Sequence, residues 1–307
     1  MFRHLILLGL PALALAQGTG PRMSIPALGY VFDENAKAIR LIAGVPGAAS
    51  FDLPVPTDVT LDSALVYSRG RGAVANTKEG RIALVDWSAN PRVTLIESAL
   101  GSVTLASFSR RGDRVAISDG AVIEVWSDLR GTPVKTAGFS GGENYLSLAL
   151  SEAGTVAAAT RGGSLLLLGA ETRTLASGSP VGGLAFHSGD LLATDAAART
   201  LLRFRDSGGA LASSVVAFLE QAPGAVATSS DGRWAALASL DDILIVNLAD
   251  GSVRPARCSC RVTRFDALEG NLVFHAIDAR TGAGLLFDAD GFEPRTAAIP
   301  AMGGAAQ

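Results

Sequence analysis

The feature that most constrains this chain is a hairpin pattern that recurs about every 40 residues. Each copy consists of an apolar strand, a tight polar turn and a second apolar strand. Marker residues of the six turns are 41, 42, 36, 42 and 40 residues apart: Ser68, Ser109, Ser151, His187, Ser229 and Glu269. A short apolar run follows each hairpin, at residues 82–87, 122–126, 165–168, 201–204, 243–246 and 285–287. Several short strands in each 40-residue unit predict the blades of a β-propeller.

We therefore predict an all-β fold of four-stranded antiparallel blades with almost no helix, since no segment longer than ten residues combines a 3.6-residue period with helix caps. Six full units fill residues 58–300, and residues 28–42 match the outer hairpin of a further unit. Residues 25–302 divided by a period of about 40 give seven blades, with six as the alternative. Residues 303–307 are expected to form a C-terminal tail.

The N-terminus has the pattern of a secretory signal peptide. A basic start at Arg3 precedes an apolar stretch, and small residues lie just before a cleavage site after Ala16. A membrane anchor is the alternative, but the stretch is well short of the roughly 20 residues that span a bilayer. We expect a signal peptide at 1–16, a linker at 17–24, a secreted or periplasmic location, and no membrane span after cleavage.

Composition excludes several other classes. The chain is 48% hydrophobic and 18% charged, which does not fit a disordered chain or a coiled coil. Its net charge of −3 is small and mixed in sign, so nucleic acid is not an expected partner. We expect a monomer with a protein or peptide partner.

Three segments resemble the WD-repeat-like and YVTN-type β-propellers. Residues 229–233 look like the hairpin turn of those repeats, residues 122–128 look like their third strand, and residues 85–87 are similar to its ending. The Gly-His dipeptide of true WD repeats is absent. The resemblance covers about 25–302 and implies an exported propeller that acts as a binding scaffold, without naming a ligand.

Charged residues recur in the turns between the second and third strands of the blades. In a propeller these turns gather on one face around the channel mouth, where a rim of mixed charge favours a protein, peptide or polar ligand. The alternative is that these turns are simply solvated. The candidate ligand-binding residues are Lys78, Glu79, Asp119, Arg161, Asp195, Arg199, Asp241, Asp242, Asp278 and Arg280.

Candidates for catalysis are few. His187 and His275 have no metal-ligand spacing, and we expect structural roles for both. Residues 138–142 match the nucleophile-elbow pattern around Ser140, but a helix is not predicted after it. Residues 288–293 carry three carboxylates, although a hairpin turn needs the same residues. We predict no catalytic residue, no metal and no cofactor.

Cys258 and Cys260 are the two cysteines of the chain. An oxidising compartment favours a disulfide, yet residues two apart on a straight strand lie near the upper limit of disulfide reach. A local disulfide and two free thiols both remain open, with metal or redox chemistry as a third alternative. The leading hypothesis is a non-enzymatic binding propeller. Its rivals are a metal-dependent, lactonase-like enzyme with a site in the channel and a packing component of an envelope assembly.

Overall fold

The protein is a seven-bladed β-propeller, which confirms the predicted fold class and blade number. The structure is a computed structural model that describes residues 26–206, 211–280, 284–290 and 293–299. Within these ranges the helical structure consists of one 3₁₀ turn at Ser68–Gly70, and no helix is long and apolar enough to cross a membrane.

The strands follow one another in chain order within each sheet. Blade 1 contains β1 (Ala27–Asp33), β2 (Ala38–Val45) and β3 (Ala48–Pro54). Blade 2 contains β4 (Leu61–Tyr67), β5 (Gly72–Thr77), β6 (Ile82–Asp86) and β7 (Arg92–Ile96). Blade 3 contains β8 (Leu105–Phe108), β9 (Arg114–Ser118), β10 (Val122–Ser127) and β11 (Val134–Ser140). Blade 4 contains β12 (Tyr145–Leu150), β13 (Val156–Thr160), β14 (Leu165–Leu168) and β15 (Arg173–Ala176).

The last three blades have the same order. Blade 5 contains β16 (Val181–His187), β17 (Asp190–Asp195), β18 (Thr200–Asp206) and β19 (Leu211–Phe218). Blade 6 contains β20 (Val226–Thr228), β21 (Trp234–Ala238), β22 (Asp242–Asn247) and β23 (Val253–Arg257). Blade 7 contains β24 (Val262–Ala267), β25 (Val273–Asp278), β26 (Gly284–Asp288) and β27 (Arg295–Ala298).

Burial explains why small and branched apolar residues dominate the second strands. All of β13 is buried, whereas β11 and β19 at the outer edge of their blades are largely exposed. The apolar clusters lie between neighbouring sheets: Val74 and Leu84 of blade 2 pack with Val115 and Ile117 of blade 3. Each such side chain contributes roughly 1.5–3 kcal/mol when removed from water. A blade therefore depends on its neighbours for cover.

The ring closes at blade 1, which has three strands in the described residues where we expected four. Strand β1 is nearly as buried as the second strands of other blades, and it contacts blades 7 and 2. The Glu269 amide donates to the Leu28 carbonyl at 2.8 Å, and the Tyr30 amide donates to Ser68 Oγ at 2.8 Å. The first-to-second-strand turns of blades 7 and 2 thus satisfy the inner edge of β1.

Arg69 joins blade 2 directly to blade 7. Its Nε donates to the Leu268 carbonyl at 3.0 Å, and its Nη2 lies 3.3 Å from the Gly270 and Asn271 carbonyls. Burial lowers the pKa of Arg69 from its usual value, an effect opposed by the nearby Tyr67 and Glu269. These three acceptors are about 200 residues away in sequence, so Arg69 is a long-range closure contact of the ring.

Antiparallel order gives the propeller two distinct faces. The 1–2 turn face carries the hairpins between first and second strands, including the markers Ser109 and Ser229. On this face Arg110 of blade 3 extends to blade 6, where its Nη2 donates to the Ser230 carbonyl at 2.8 Å. Because blades 3 and 6 are not neighbours, the Arg110 side chain crosses the channel mouth. The 2–3 turn face, at the other end, carries the turns between second and third strands.

Candidate functional site

All ten predicted ligand-binding residues lie at the 2–3 turn face, in or directly beside the turns between second and third strands. They differ in exposure. Six are exposed: Lys78, Glu79, Arg161, Arg199, Asp241 and Arg280. Asp119, Asp195 and Asp242 are half-buried, and Asp278 is buried. Sequence reasoning missed the turn between β1 and β2 of blade 1, where Glu34 and Lys37 form an ion pair at 3.0 Å. This turn lies at the same face, because β1 starts at the 1–2 turns of blades 7 and 2 and runs in the direction of a second strand. Its signal was the short polar segment between β1 and β2.

Three of the aspartates form the turns themselves. Asp278 Oδ1 accepts hydrogen bonds from the Arg261 and Arg280 amides, at 2.8 and 3.1 Å. Asp119 Oδ1 accepts from two amides of its own turn. Asp195 Oδ1 accepts from the Ala198 amide at 2.8 Å and from a serine hydroxyl at 2.6 Å. Such bonds are the usual reason for aspartate in turns, so these side chains shape the face more than they extend from it.

At the 2–3 turn face the structure brings charged residues of two blades together where blades 6 and 7 meet. Asp241 of blade 6 forms an ion pair with Arg280 of blade 7, and their side chains are 60% and 48% exposed. Arg280 Nη1 also donates to the Ser259 carbonyl at 3.0 Å. Asp242 lies opposite Arg257 in the register of β22 and β23. We call Asp241, Asp242, Arg257, Ser259 and Arg280 the 6–7 cluster.

A disulfide between Cys258 and Cys260 lies within this cluster, in the connection from β23 to β24. The chain bends there, because Ser259 between the cysteines has a left-handed φ of 50°. The sequence left this bond open because two cysteines that are two residues apart on a straight strand lie near the upper limit of disulfide reach. Cys260 is 2% exposed and packs in the core between blades 6 and 7, whereas Cys258 is half-buried.

The net stabilisation from this bond is small. Closing so short a loop contributes about 1.5 kcal/mol in the chain-entropy model. A left-handed conformation at the non-glycine Ser259 costs roughly 1–2 kcal/mol. The two contributions offset each other, so the disulfide does little to hold the propeller together.

Two large apolar side chains are exposed beside the charged turns. Phe218, at the end of β19, is 79% exposed, and Leu240, next to Asp241, is 55% exposed. The connection after Phe218 is fastened to this face, since Arg199 Nη1 donates to the Glu220 carbonyl at 3.2 Å and Ser239 Oγ donates to Gln221 Oε1 at 2.7 Å. Sequence reasoning missed Phe218, because an aromatic residue in a strand is normally predicted to be buried in the core.

A buried ionised network lies outside this face, in blade 3. Glu124 is fully buried and accepts hydrogen bonds from Lys135 Nζ at 2.7 Å, Ser98 Oγ at 2.7 Å, Trp126 Nε1 at 3.1 Å and the Ala99 amide at 3.1 Å. Burial disfavours the charged form, but these four donors outweigh it and hold the pKa of Glu124 below its usual range. The network fastens the connection between blades 2 and 3 to β10.

His187 and His275 have local partners. His275 is buried in β25, with Nδ1 3.5 Å from Asp266 Oδ2. Burial opposes ionisation of Asp266, but Arg264 and His275 keep its pKa below the usual value. His187 lies at the 1–2 turn face, where burial and the nearby Arg110 lower its pKa.

The two weaker sequence motifs have structural roles. Ser140 ends β11, and the next element is another strand, so the strand–turn–helix of a nucleophile elbow is not formed. The Asp290 carboxylate accepts hydrogen bonds from the Asn271 and Leu272 amides, at 2.9 and 2.6 Å. Residues 291–292 of the carboxylate-bearing segment 288–293 lie outside the described residues.

No protein-family model matches the chain, and no curated protein is significantly similar to it. Within the ranges that the structure describes, no group of three or more His, Cys, Asp or Glu side chains could hold a metal ion. The predicted signal peptide falls in residues 1–16, outside the described residues.

Proposed function

We propose that the protein is an exported, non-enzymatic scaffold that binds a protein or peptide partner through its 2–3 turn face. The observation that carries this proposal is the combination of the exposed ion pair Asp241–Arg280 with the exposed Phe218 and Leu240 on one face. Aromatic side chains and arginines are enriched in protein interfaces. The exposed apolar ring of Phe218 is suited to contact with a protein or peptide rather than with a small polar ligand.

The opposite face is less suited to insertion of a ligand. Its channel mouth is crossed by Arg110, and Asn271 of blade 7 bonds Ser230 and Asp231 of blade 6. An incoming ligand would have to break these contacts. On the 2–3 turn face the loops are instead held by bonds within and between neighbouring turns, which favours a rigid surface that needs little ordering when it binds.

The resemblance to YVTN-type propellers and the N-terminal pattern support export. Protein recovered from the secreted or periplasmic fraction is expected to begin at Gln17, as N-terminal sequencing would show. A mature chain that begins at Met1 would contradict export with cleavage.

The binding proposal is tested by a charge swap that keeps the overall charge constant. The exported fraction is passed over immobilised wild-type protein and over the double variant Asp241→Arg/Arg280→Asp, and retained proteins are quantified. A partner that needs this face is expected to lose at least tenfold in retention on the variant. The matched control is Arg111→Glu/Glu152→Arg, which swaps an exposed pair 3.8 Å apart on the 1–2 turn face.

Equal retention on the two swapped variants would contradict binding through the 2–3 turn face. A third variant, Phe218→Ser, separates the apolar contribution from the charged one, and it is expected to weaken retention without changing the far-ultraviolet dichroism. If Phe218→Ser bound small polar solutes with the same affinity as the wild type, the ligand would be a small molecule and the proposal of a protein partner would be wrong.

A further inference from the structure

We propose that the Cys258–Cys260 disulfide is a thiol–disulfide exchange site, which a small or protein thiol reduces and a small disulfide restores while the propeller stays folded. The bond differs from a structural bridge in three respects. It encloses a single residue, that residue, Ser259, has a left-handed conformation, and the bond lies in a connection between blades.

Exposure selects the sulfur that is attacked. Cys258 is half-buried, whereas Cys260 is 2% exposed. The thiolate of the reductant attacks Cys258 Sγ, the bond to Cys260 Sγ breaks, and Cys260 leaves with the electron pair and takes up a proton. A second thiol then attacks the reductant's sulfur in the mixed disulfide. The products are the oxidised reductant and the Cys258 thiol, so two electrons pass to the protein.

Thermodynamic linkage explains why the bond is reducible. A fold favours a disulfide over the dithiol by the same factor by which the disulfide stabilises the fold. Because the gain from loop closure and the cost at Ser259 offset each other here, the folded chain favours the bond hardly more than the unfolded chain does. Strained or exposed disulfides are the labile ones, in contrast to bridges that folding protects.

Opening the bond also changes the 6–7 cluster. The Ser259 carbonyl accepts a hydrogen bond from Arg280, whose other end pairs with Asp241. Once the disulfide is open, Ser259 is free to return to an extended conformation, and its carbonyl turns away from Arg280. Reduction is therefore expected to loosen the ion pair between blades 6 and 7. Any effect of this on partner binding rests on the proposed function, whereas the exchange itself does not.

The test measures the disulfide–dithiol equilibrium in glutathione buffers, for the native protein and for the protein in 8 M urea, by alkylation and mass spectrometry. We expect the two constants to agree within about tenfold, which corresponds to about 30 mV, and the reduced protein to keep its native dichroism. A native constant a thousandfold larger than the unfolded one, or unfolding upon reduction, would overturn the proposal.

A substitution pair tests the role of Ser259. Glycine adopts positive φ without cost, so Ser259→Gly is expected to raise the ratio of native to unfolded constants at least fivefold. The control is Ser188→Gly in blade 5, where a serine has the similar φ of 48° but lies far from the cysteines in the fold. It is expected to leave the ratio unchanged. An equal ratio in Ser259→Gly and wild type would refute the strain on which the exchange depends.

Discussion

Replacing Gly183 by alanine tests how closely the blades pack. Gly183 lies in β16, the first strand of blade 5, and its conformation is accessible to alanine. A Cβ there would lie 2.6 Å from the Val226 amide nitrogen and 2.8 Å from the Ala225 Cα of blade 6. An ordinary contact begins at 3.4 Å, so the two inner strands must separate by about 0.8 Å. Because both obstacles are backbone atoms, no side chain can move aside.

Overpacking of this kind costs about 2–3 kcal/mol, which lowers Tm by about 3–5 °C in a chain of this size. Differential scanning calorimetry of Gly183→Ala measures the shift. The matched control is Gly72→Ala in β5, where the new Cβ meets only the Val85 carbonyl, at 3.5 Å. A Gly183→Ala variant whose Tm equals that of the wild type would refute the close approach of blades 5 and 6.

Three further predictions concern the charged residues Glu124 and Arg69. Glu124→Gln replaces the carboxylate that pairs with Lys135 and is expected to cost about 1–3 kcal/mol, measured by urea unfolding at pH 7. The pKa of Glu124 is lower in the folded protein than in the unfolded chain, where it is about 4.3. Its ionisation therefore stabilises the fold above about pH 4.3, and this stabilisation is lost as pH falls through the folded pKa. The decrease in unfolding free energy from pH 7 to pH 3 should be smaller in Glu124→Gln than in the wild type, and an equal decrease would contradict the network. Arg69→Met removes a donor from the Leu268, Gly270 and Asn271 carbonyls, although Asn271 keeps the Ser230 amide as a second donor, and it should cost about 1–3 kcal/mol. Arg111→Met, with a side chain that is 83% exposed, should change stability by less than about 0.5 kcal/mol.

The blade pattern could be predicted from the sequence because its determinants are local. The run predicted at residues 165–168 is β14, with the same bounds, and the run at 122–126 matches β10 to within one residue. The alternation of apolar residues and the glycine-containing turn that specify a hairpin lie within about ten residues of sequence, so each hairpin can be predicted from its own segment.

Ring closure could not be predicted in the same way. The contact of Arg69 with Leu268 joins residues 199 apart, and no nearby residue signals it. Residues 28–42 were recognised as an outer hairpin, but a three-stranded blade between blades 7 and 2 follows only from the assembled ring.

The candidate site could be predicted in position but not in detail. An aspartate that binds its own turn and one that faces a ligand occupy the same kind of turn, so Asp278 and Asp241 looked equivalent in sequence. Their difference depends on residues that lie outside their own turns. The Arg261 amide donates a hydrogen bond to Asp278, whereas Asp241 forms an ion pair with Arg280 at the surface. The exposure of Phe218 likewise depends on the absence of a covering element among the described residues, which composition does not encode.

The claim on which the rest depends is that β1 lies between blade 7 and blade 2 and so closes the ring. Nuclear Overhauser effects measured on deuterated, amide-protonated protein with selectively labelled glycine test it directly. Because the Glu269 amide donates to the Leu28 carbonyl at 2.8 Å, a strong effect is expected between the Glu269 amide proton and the α-protons of Gly29. Effects between β1 and β2 without any between β1 and residues 268–270 would show an open arrangement of sheets and contradict the propeller.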